Sequence, residues 1–257
     1  MRVTSFLFSV VAWPLAVLFT VVFGSAAVVV KPLSPGGRVG LYLARWWARL
    51  IVLVAGVRLR VEGTENLDLS RCYVIMVNHE SAVDIPALMA ALPARLRARF
   101  LAKKSLFNLP FLGWAMRALG FIPVDRADRS TAPGMFRKAS GQAREGSSLL
   151  LFPEETRTED GRLLPFQRGG FLLALRSRYP ILPVGIEGAR IALPSGSRLI
   201  RPLTRVTVRI GEPIPTADRS TGERQALMEE TRRAIDHLRG PTGHIPDAGN
   251  GEGEDTG

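Results

Sequence analysis

Between Arg2 and Lys31 the chain carries no charged residue, only the run VTSFLFSVVAWPLAVLFTVVFGSAAVVV. About 20 apolar residues suffice for a helix to cross the hydrocarbon core of a bilayer. The pattern therefore predicts a membrane helix, with Pro14 as its kink point. A secretory signal peptide cut near GSAA is the competing reading. Its apolar core would be roughly 7–15 residues; here the run is longer and VVV continues past the small residues, so a retained segment is expected. A buried soluble helix would need a larger core than this chain can wrap around so uniform a surface. After the turn KPLSPGG, a helical period resumes in RVGLYLARWWARLIVLVAG. Arg38, Tyr42, Arg45 and Arg49 fall at steps of four, three and four, hence on one face, beside Trp46 and Trp47. A basic stripe next to tryptophans predicts a helix lying at a membrane interface, the alternative being an ordinary surface helix.

From Val57 the period changes to two. VRLRVEG alternates as a half-buried strand. CYVIMV is a continuous apolar run, a strand buried on both faces, and it ends at Asn78-His79. Pro86 sits where the first turn of a helix through PALMAAL tolerates it. RFLA is a short strand before Lys103-Lys104; LGWAMRAL is a helix stopped by Gly120; FIPV is a strand ending at Asp125-Arg126. APGMFRKASGQARE is a polar helix, SLLLF a buried strand ending at FPEETR, GGFLLALRSR a helix, ILPVGI a strand, and RVTVRIG another alternating strand. Thr221 to Arg239 forms a charged amphipathic helix, and the tail GPTGHIPDAGNGEGEDTG is expected to be disordered. Alternating strands and helices predict an α/β class with a mostly parallel sheet covered by helices on both faces, preceded by the membrane-associated helices. The domain division is 1–56, 57–239 and a tail over 240–257.

The formal net charge of +11 suggests anionic partners, among them nucleic acid, anionic lipid and phosphorylated substrates. No RNA-binding motif and no basic helix without apolar partners is present, so no nucleic-acid partner is expected. Positive charge is denser after the first segment than before it, which places the remainder on the cytoplasmic side. The single Cys72 rules out an internal disulfide, and the three histidines lie apart without zinc spacing, so no metal is expected.

The polar clusters recur at the carboxyl ends of apolar strands, where open α/β sheets bind ligands. His79 can accept a proton from a hydroxyl if its other ring nitrogen is held, and Asp84, five residues on, can hold it. No G-x-S-x-G elbow exists and Cys72 lies within a predicted strand, so the activated hydroxyl would belong to a substrate. For the isolated pair, a histidine bonded to loop backbone is the blander reading. Arg126, Arg157, Lys103 and Lys104 supply cations for a phosphate pocket; singly, each reads as a solvated loop charge. Glu154 can bind a hydroxyl or pair with Arg157, while adjacent carboxylates on a loop do not set the separation glycoside hydrolysis needs.

In order, NHESAVD, GFIPVDR, FPEETR and ILPVGI resemble the four blocks of the lysophospholipid acyltransferase family, the bacterial 1-acylglycerol-3-phosphate acyltransferases, over roughly Val57 to Pro215. The resemblance implies acyl transfer from acyl-CoA or acyl-ACP, as co-substrate and not as resident cofactor, to the free hydroxyl of lysophosphatidic acid. It implies His79 as general base and Asp84 as its orienting partner. Arg126, Glu154, Thr156 and Arg157 would bind the acceptor, and the region of Pro183 would help hold the donor. Asn78 and Gly120, from the first two blocks, complete the expected substrate-binding set. Membrane lipids are the implied partners and the cytoplasmic membrane the implied location. Glu155 stands where the family pattern has glycine; it either points to solvent or shifts the acceptor to another lysophospholipid or a lyso-aminolipid. A membrane lipid-binding protein without catalysis is the reading of another class.

Overall fold

The run Cys72–Val77 is apolar on both of its faces, and the fold uses both. In the computed structural model, which describes residues 2–34, 37–125 and 132–240, it becomes strand β2 (Val74–Val77), every residue of it buried. Ile75 and Val77 point to one side and Val74 and Met76 to the other, each set joining a different hydrophobic cluster.

Around β2 the chain runs α1 (Arg2–Val30), α2 (Arg38–Val54), β1 (Arg58–Glu62), β2, α3 (Asp84–Ala91), β3 (Arg99–Lys103), α4 (Leu112–Ala118) and β4 (Ile122–Val124). It continues through α5 (Ala132–Arg144), β5 (Leu149–Leu151), α6 (Arg168–Ser177), β6 (Ile181–Glu187), α7 (Ala189–Ala192), β7 (Arg205–Ile210) and α8 (Arg224–Leu238). The sheet order is β1-β7-β6-β2-β5-β3-β4. All neighbours are parallel except β6 and β7. The expected α/β class holds, with helices α2 and α3 packed on one face and α6 and α8 on the other. The two strands with alternating sequence, β1 and β7, are the ones that run against the other five, a reversal the sequence reading had not placed. The expected strands FIPV and SLLLF each shorten to three residues. α8 approaches β6 so closely that a Cβ at Gly185 would lie 2.3 Å from the Leu238 carbonyl carbon.

α1 is long and apolar enough to cross a membrane, and only 11% of its apolar window is buried, unlike a core helix. It is nevertheless tied to the sheet domain along its length. The Ser9 hydroxyl accepts the Ile200 amide at 2.8 Å. The Trp13 indole donates to the Arg198 carbonyl at 2.8 Å, and the Trp47 indole of α2 donates to Thr20 Oγ1 at 3.1 Å. Gly24 lies against the Phe111 carbonyl just before α4. α2 buries its small residues Gly40, Ala44 and Ala48 and exposes Tyr42, Trp46 and Arg49. Arg45 departs from the expected basic stripe: its guanidinium turns inward to the carbonyl of Ala90 in α3.

Between α1, α2, α3 and α4 lies a cavity of about 560 Å³ with an almost wholly apolar wall, including Val21, Trp47, Met89, Phe100, Met116 and Phe121.

Candidate active site

β2 stops at Val77, and the chain must turn before α3 begins at Asp84. Asn78 anchors the start of that turn. Its side-chain amide donates to the Ile186 carbonyl at 2.9 Å and accepts the Ile186 amide at 2.7 Å, clamping the end of β2 to β6. Asn78 is 1% exposed, so the group expected to meet substrate is committed to the scaffold.

His79 follows, its ring 13% exposed. Asp84 Oδ2 lies 2.8 Å from His79 Nδ1 and accepts the backbone amides of Glu80 and Ser81 at 2.8 and 2.9 Å. Three N–H groups on one carboxylate oxygen fix its position. They also set the tautomer: the hydrogen of Nδ1 faces the carboxylate and Nε2 keeps its lone pair. Phe152 stacks on the imidazole, ring centres 4.0 Å apart and planes 18° from parallel. The ring is therefore held by a hydrogen bond at one edge and by an aromatic plane on one face.

FPEETR forms the adjacent wall at the end of β5. Glu154 is 3% exposed; one oxygen accepts the His79 amide at 2.9 Å and the other the Leu164 amide at 2.7 Å. Burial raises its pKa, opposed by these two amides. Like Asn78, Glu154 holds the loops in register rather than presenting a free carboxylate. Phe152 to Glu155 is a tight turn, closed by the Glu155 amide on the Phe152 carbonyl at 3.0 Å. Glu155 has φ +59°, the left-handed conformation that favours glycine. The backbone thus keeps the shape a glycine would take, with a glutamate in it. Thr156 and Arg157 are exposed beyond the turn. The next residue, Thr158, donates its amide to the His79 carbonyl at 3.0 Å, which keeps Arg157 beside the histidine loop.

The remaining expected residues divide. Lys103 and Lys104 lie at the carboxyl end of β3, on the same edge of the sheet but two strands from β2, about 10 Å away. Lys104 Nζ pairs with Asp125 at 3.0 Å, largely in solvent. Gly120 is a correction. It terminates α4 with φ +72° and lies at the amino end of β4, near Arg99 at the start of β3, on the opposite edge from His79. The left-handed stop that makes it a glycine serves the helix end and not a ligand. Pro183 is also displaced from its expected role: it is buried inside the sheet opposite Met76 and does not line the apolar cavity. Arg126 lies outside the described residues, as does the tail from 241 onward.

Three neighbours escaped the sequence reading. Glu80 is buried at 6% exposure with one oxygen 3.2 Å from the Asn78 amide nitrogen. Burial, and then the charge of Asp84, push its pKa up to about 7. Arg190, on α7, donates to the Glu159 carbonyl at 3.3 Å and faces the charge of Glu80. Ser81 gives its hydroxyl to the Leu193 carbonyl at 2.7 Å and is fully buried, which removes it as a nucleophile. Cys72 precedes β2 at the far end of that strand from His79. Ala82 and Val83, in the same turn as His79, line the apolar cavity. The arrangement is thus an oriented imidazole in a turn that also lines a hydrocarbon-sized space, with cationic side chains along the same edge.

A family model described as Acyltransferase matches residues 58–187. The chain is 32% identical over 174 residues to the chloroplastic 1-acyl-sn-glycerol-3-phosphate acyltransferase BAT2 of Brassica napus, covering 67% of this chain and 49% of that one. It is 31% identical over 223 residues to the human 1-acyl-sn-glycerol-3-phosphate acyltransferase beta, covering 86% and 78%. The chain spans about half the length of the chloroplastic relatives it matches. Among solved structures, it superposes on the 1-acyl-sn-glycerophosphate acyltransferase PlsC of Thermotoga maritima with TM-score 0.79 and 26% identity, over 94% of this chain and 99% of that one.

Proposed function

The chain belongs to the acyltransferase family, and from that premise we propose that it transfers a fatty acyl group from a thioester to the free hydroxyl of lysophosphatidic acid. The observation that carries the reading is His79 with Nδ1 held by Asp84, in a turn whose next residues line the apolar cavity. His79 Nε2 takes the hydroxyl proton as the hydroxyl oxygen attacks the thioester carbonyl. Collapse of the tetrahedral intermediate forms the ester and breaks the C–S bond, and His79 returns the proton to the departing thiolate. Asp84 steadies the imidazolium between the two steps. Because the attacking oxygen comes from the acceptor, no side-chain nucleophile is needed. The donor is acyl-CoA or an acyl carrier protein thioester, used as co-substrate, and the chemistry asks for no resident cofactor.

The cavity suits the acyl chain. At about 560 Å³, with an almost wholly apolar wall, it offers a long hydrocarbon chain a place out of water. Arg157, with Lys103 on the same sheet edge, supports recognition of the acceptor phosphate. α1 is attached to the domain from Ser9 to Gly24, so we place it in one leaflet, alongside the domain. On this reading the protein sits on the cytoplasmic membrane and faces the cytoplasm.

The test is purified full-length protein with labelled acyl-CoA and a panel of lysolipids. Lysophosphatidic acid is the expected acceptor, and His79→Ala is expected to lower turnover by roughly 10²–10⁴. Near-normal turnover by that variant removes the assigned role; labelling of a different lysolipid reassigns the acceptor. No labelling of any acceptor by the wild type leaves a lipid-binding protein.

A further inference from the structure

Residues 1–61 contain seven basic residues and no acidic one, and residues 188–211 contain five basic and none acidic. The fold joins these two segments. The β7 reversal brings Arg205 to the carboxyl end of β6, where its carbonyl lies against Gly188. In the parallel ladder Arg205 is level with Arg58 on the edge strand β1. The 194–204 loop leading into β7 is tied to the turn after α2 by the Leu203 amide on the Gly56 carbonyl at 2.7 Å. It is tied to α1 through Ser9 and Trp13. Arg58, Arg198, Arg201 and Arg205 are exposed, and none of the four side chains has an ion-pair or hydrogen-bond partner among the described residues.

Apolar residues stand among them. Leu53 is 70% exposed, Leu199 39% and Leu203 69%. Leu203 has φ +63°. An exposed left-handed position is ordinarily filled by Gly or Asn; here it carries a bulky leucine that nothing in the domain covers. Free arginines, protruding leucines and direct continuity with the exposed apolar side of α1 match one occupant better than a protein partner.

We propose that the 194–204 loop and the β1–β7 edge form a second membrane contact that selects anionic phospholipid headgroups and seats the active-site end of the sheet on the bilayer. The leucines enter the interface and the four arginines meet phosphates. The inference rests on the reading of α1 and α2 as membrane-associated.

The experiment is partitioning of the full chain between vesicles of phosphatidylcholine alone and vesicles also containing phosphatidylglycerol, at low and high salt. Wild type is expected to favour the anionic vesicles, with the preference shrinking as salt rises. Arg198→Gln with Arg201→Gln is expected to cut that preference roughly 10–30-fold, at about fivefold per charge. Leu203→Asp is expected to weaken binding to both vesicles. Arg178→Gln with Arg233→Gln, equal in charge but placed at the end of α6 and on α8, is expected to leave the preference intact; an equal fall there reduces the effect to net charge and overturns the proposal. An unchanged preference in the first pair overturns it, provided thermal unfolding shows that pair folded. Arg58→Gln with Arg205→Gln, from strands β1 and β7 instead of the loop, is expected to cut the preference to a similar extent, and an unchanged preference there overturns the proposal. A preference kept for vesicles with affinity lost for a soluble acyl carrier protein assigns the patch to an acidic protein and overturns it too. Wild type that binds neither vesicle fails the membrane reading of α1 and α2; binding both equally fails this proposal alone.

Discussion

Asp84→Asn keeps the shape of the site and removes one charge. Asp84 Oδ2 accepts from His79 Nδ1 and from the amides of Glu80 and Ser81. An amide oxygen in the same place accepts all three, so the turn is retained. The loss falls at the moment His79 becomes an imidazolium. With charge centres about 4 Å apart, the attraction is ~4 kcal/mol at an effective dielectric of 20. Little solvent screens it, since the two side chains are 13% and 0% exposed. If the transition state carries half to all of the transferred proton, ~2–4 kcal/mol is lost, a fall of roughly 30- to 1,000-fold in kcat. Binding of either substrate precedes the charge, so KM stays within about threefold. The assay is thiol release from acyl-CoA with lysophosphatidic acid in mixed micelles, paired with a thermal unfolding curve. A variant that unfolds like wild type and retains kcat within about fivefold would refute the role of Asp84 as electrostatic partner. A rise in KM at constant kcat would move Asp84 to substrate binding.

Glu80→Gln tests the buried carboxyl beside that pair. Its pKa is about 7 in the fold against 4.5 for an exposed glutamate, so the folded state holds the proton more tightly. The destabilisation is therefore absent below about pH 4.5 and grows as pH rises toward 7. Glu80→Gln should match wild type at pH 4 and exceed it by roughly 2–3 kcal/mol at pH 8; parallel stability curves would deny the shift. Glu155→Gly relieves a left-handed backbone at a cost in chain entropy, so urea unfolding should show a net change between zero and about 1 kcal/mol in favour of the variant. The same variant should lower KM for lysophosphatidic acid relative to a neutral lysolipid, and an unchanged ratio clears Glu155 of acceptor selection. Gly185→Ala should cost about 1–3 kcal/mol, because the added methyl meets the end of α8; a neutral effect would mean that α8 is free to shift.

The sequence was most legible where one periodicity ruled. CYVIMV as a buried strand follows from local pattern, and the pairing of His79 with Asp84, which the spacing allowed and the block resemblance implied, is also present in the fold. The direction of β7 was not legible, because an alternating strand reads the same in either direction. Asn78 and Glu154 illustrate a second limit. Their residue types fit substrate binding, yet their partners, Ile186 and Leu164, lie 108 and 10 positions away. Only the assembled fold reveals that those donors and acceptors are already matched. Gly120 was drawn to the site by its motif, although a residue before a strand and a residue after one sit at opposite edges of a parallel sheet.

α1 lines the apolar cavity and is also, among the described residues, the helix long and apolar enough to cross a membrane. The proposed anchor and the chamber are therefore not separable parts. Cutting away the first thirty residues to obtain a water-soluble enzyme would leave one without a roof, its hydrocarbon slot open to water along one side. On the proposed one-leaflet placement of α1, the same roof would set the path of traffic: an acyl chain would enter the slot sideways, between helix and leaflet, with its hydrocarbon shielded from water along the way.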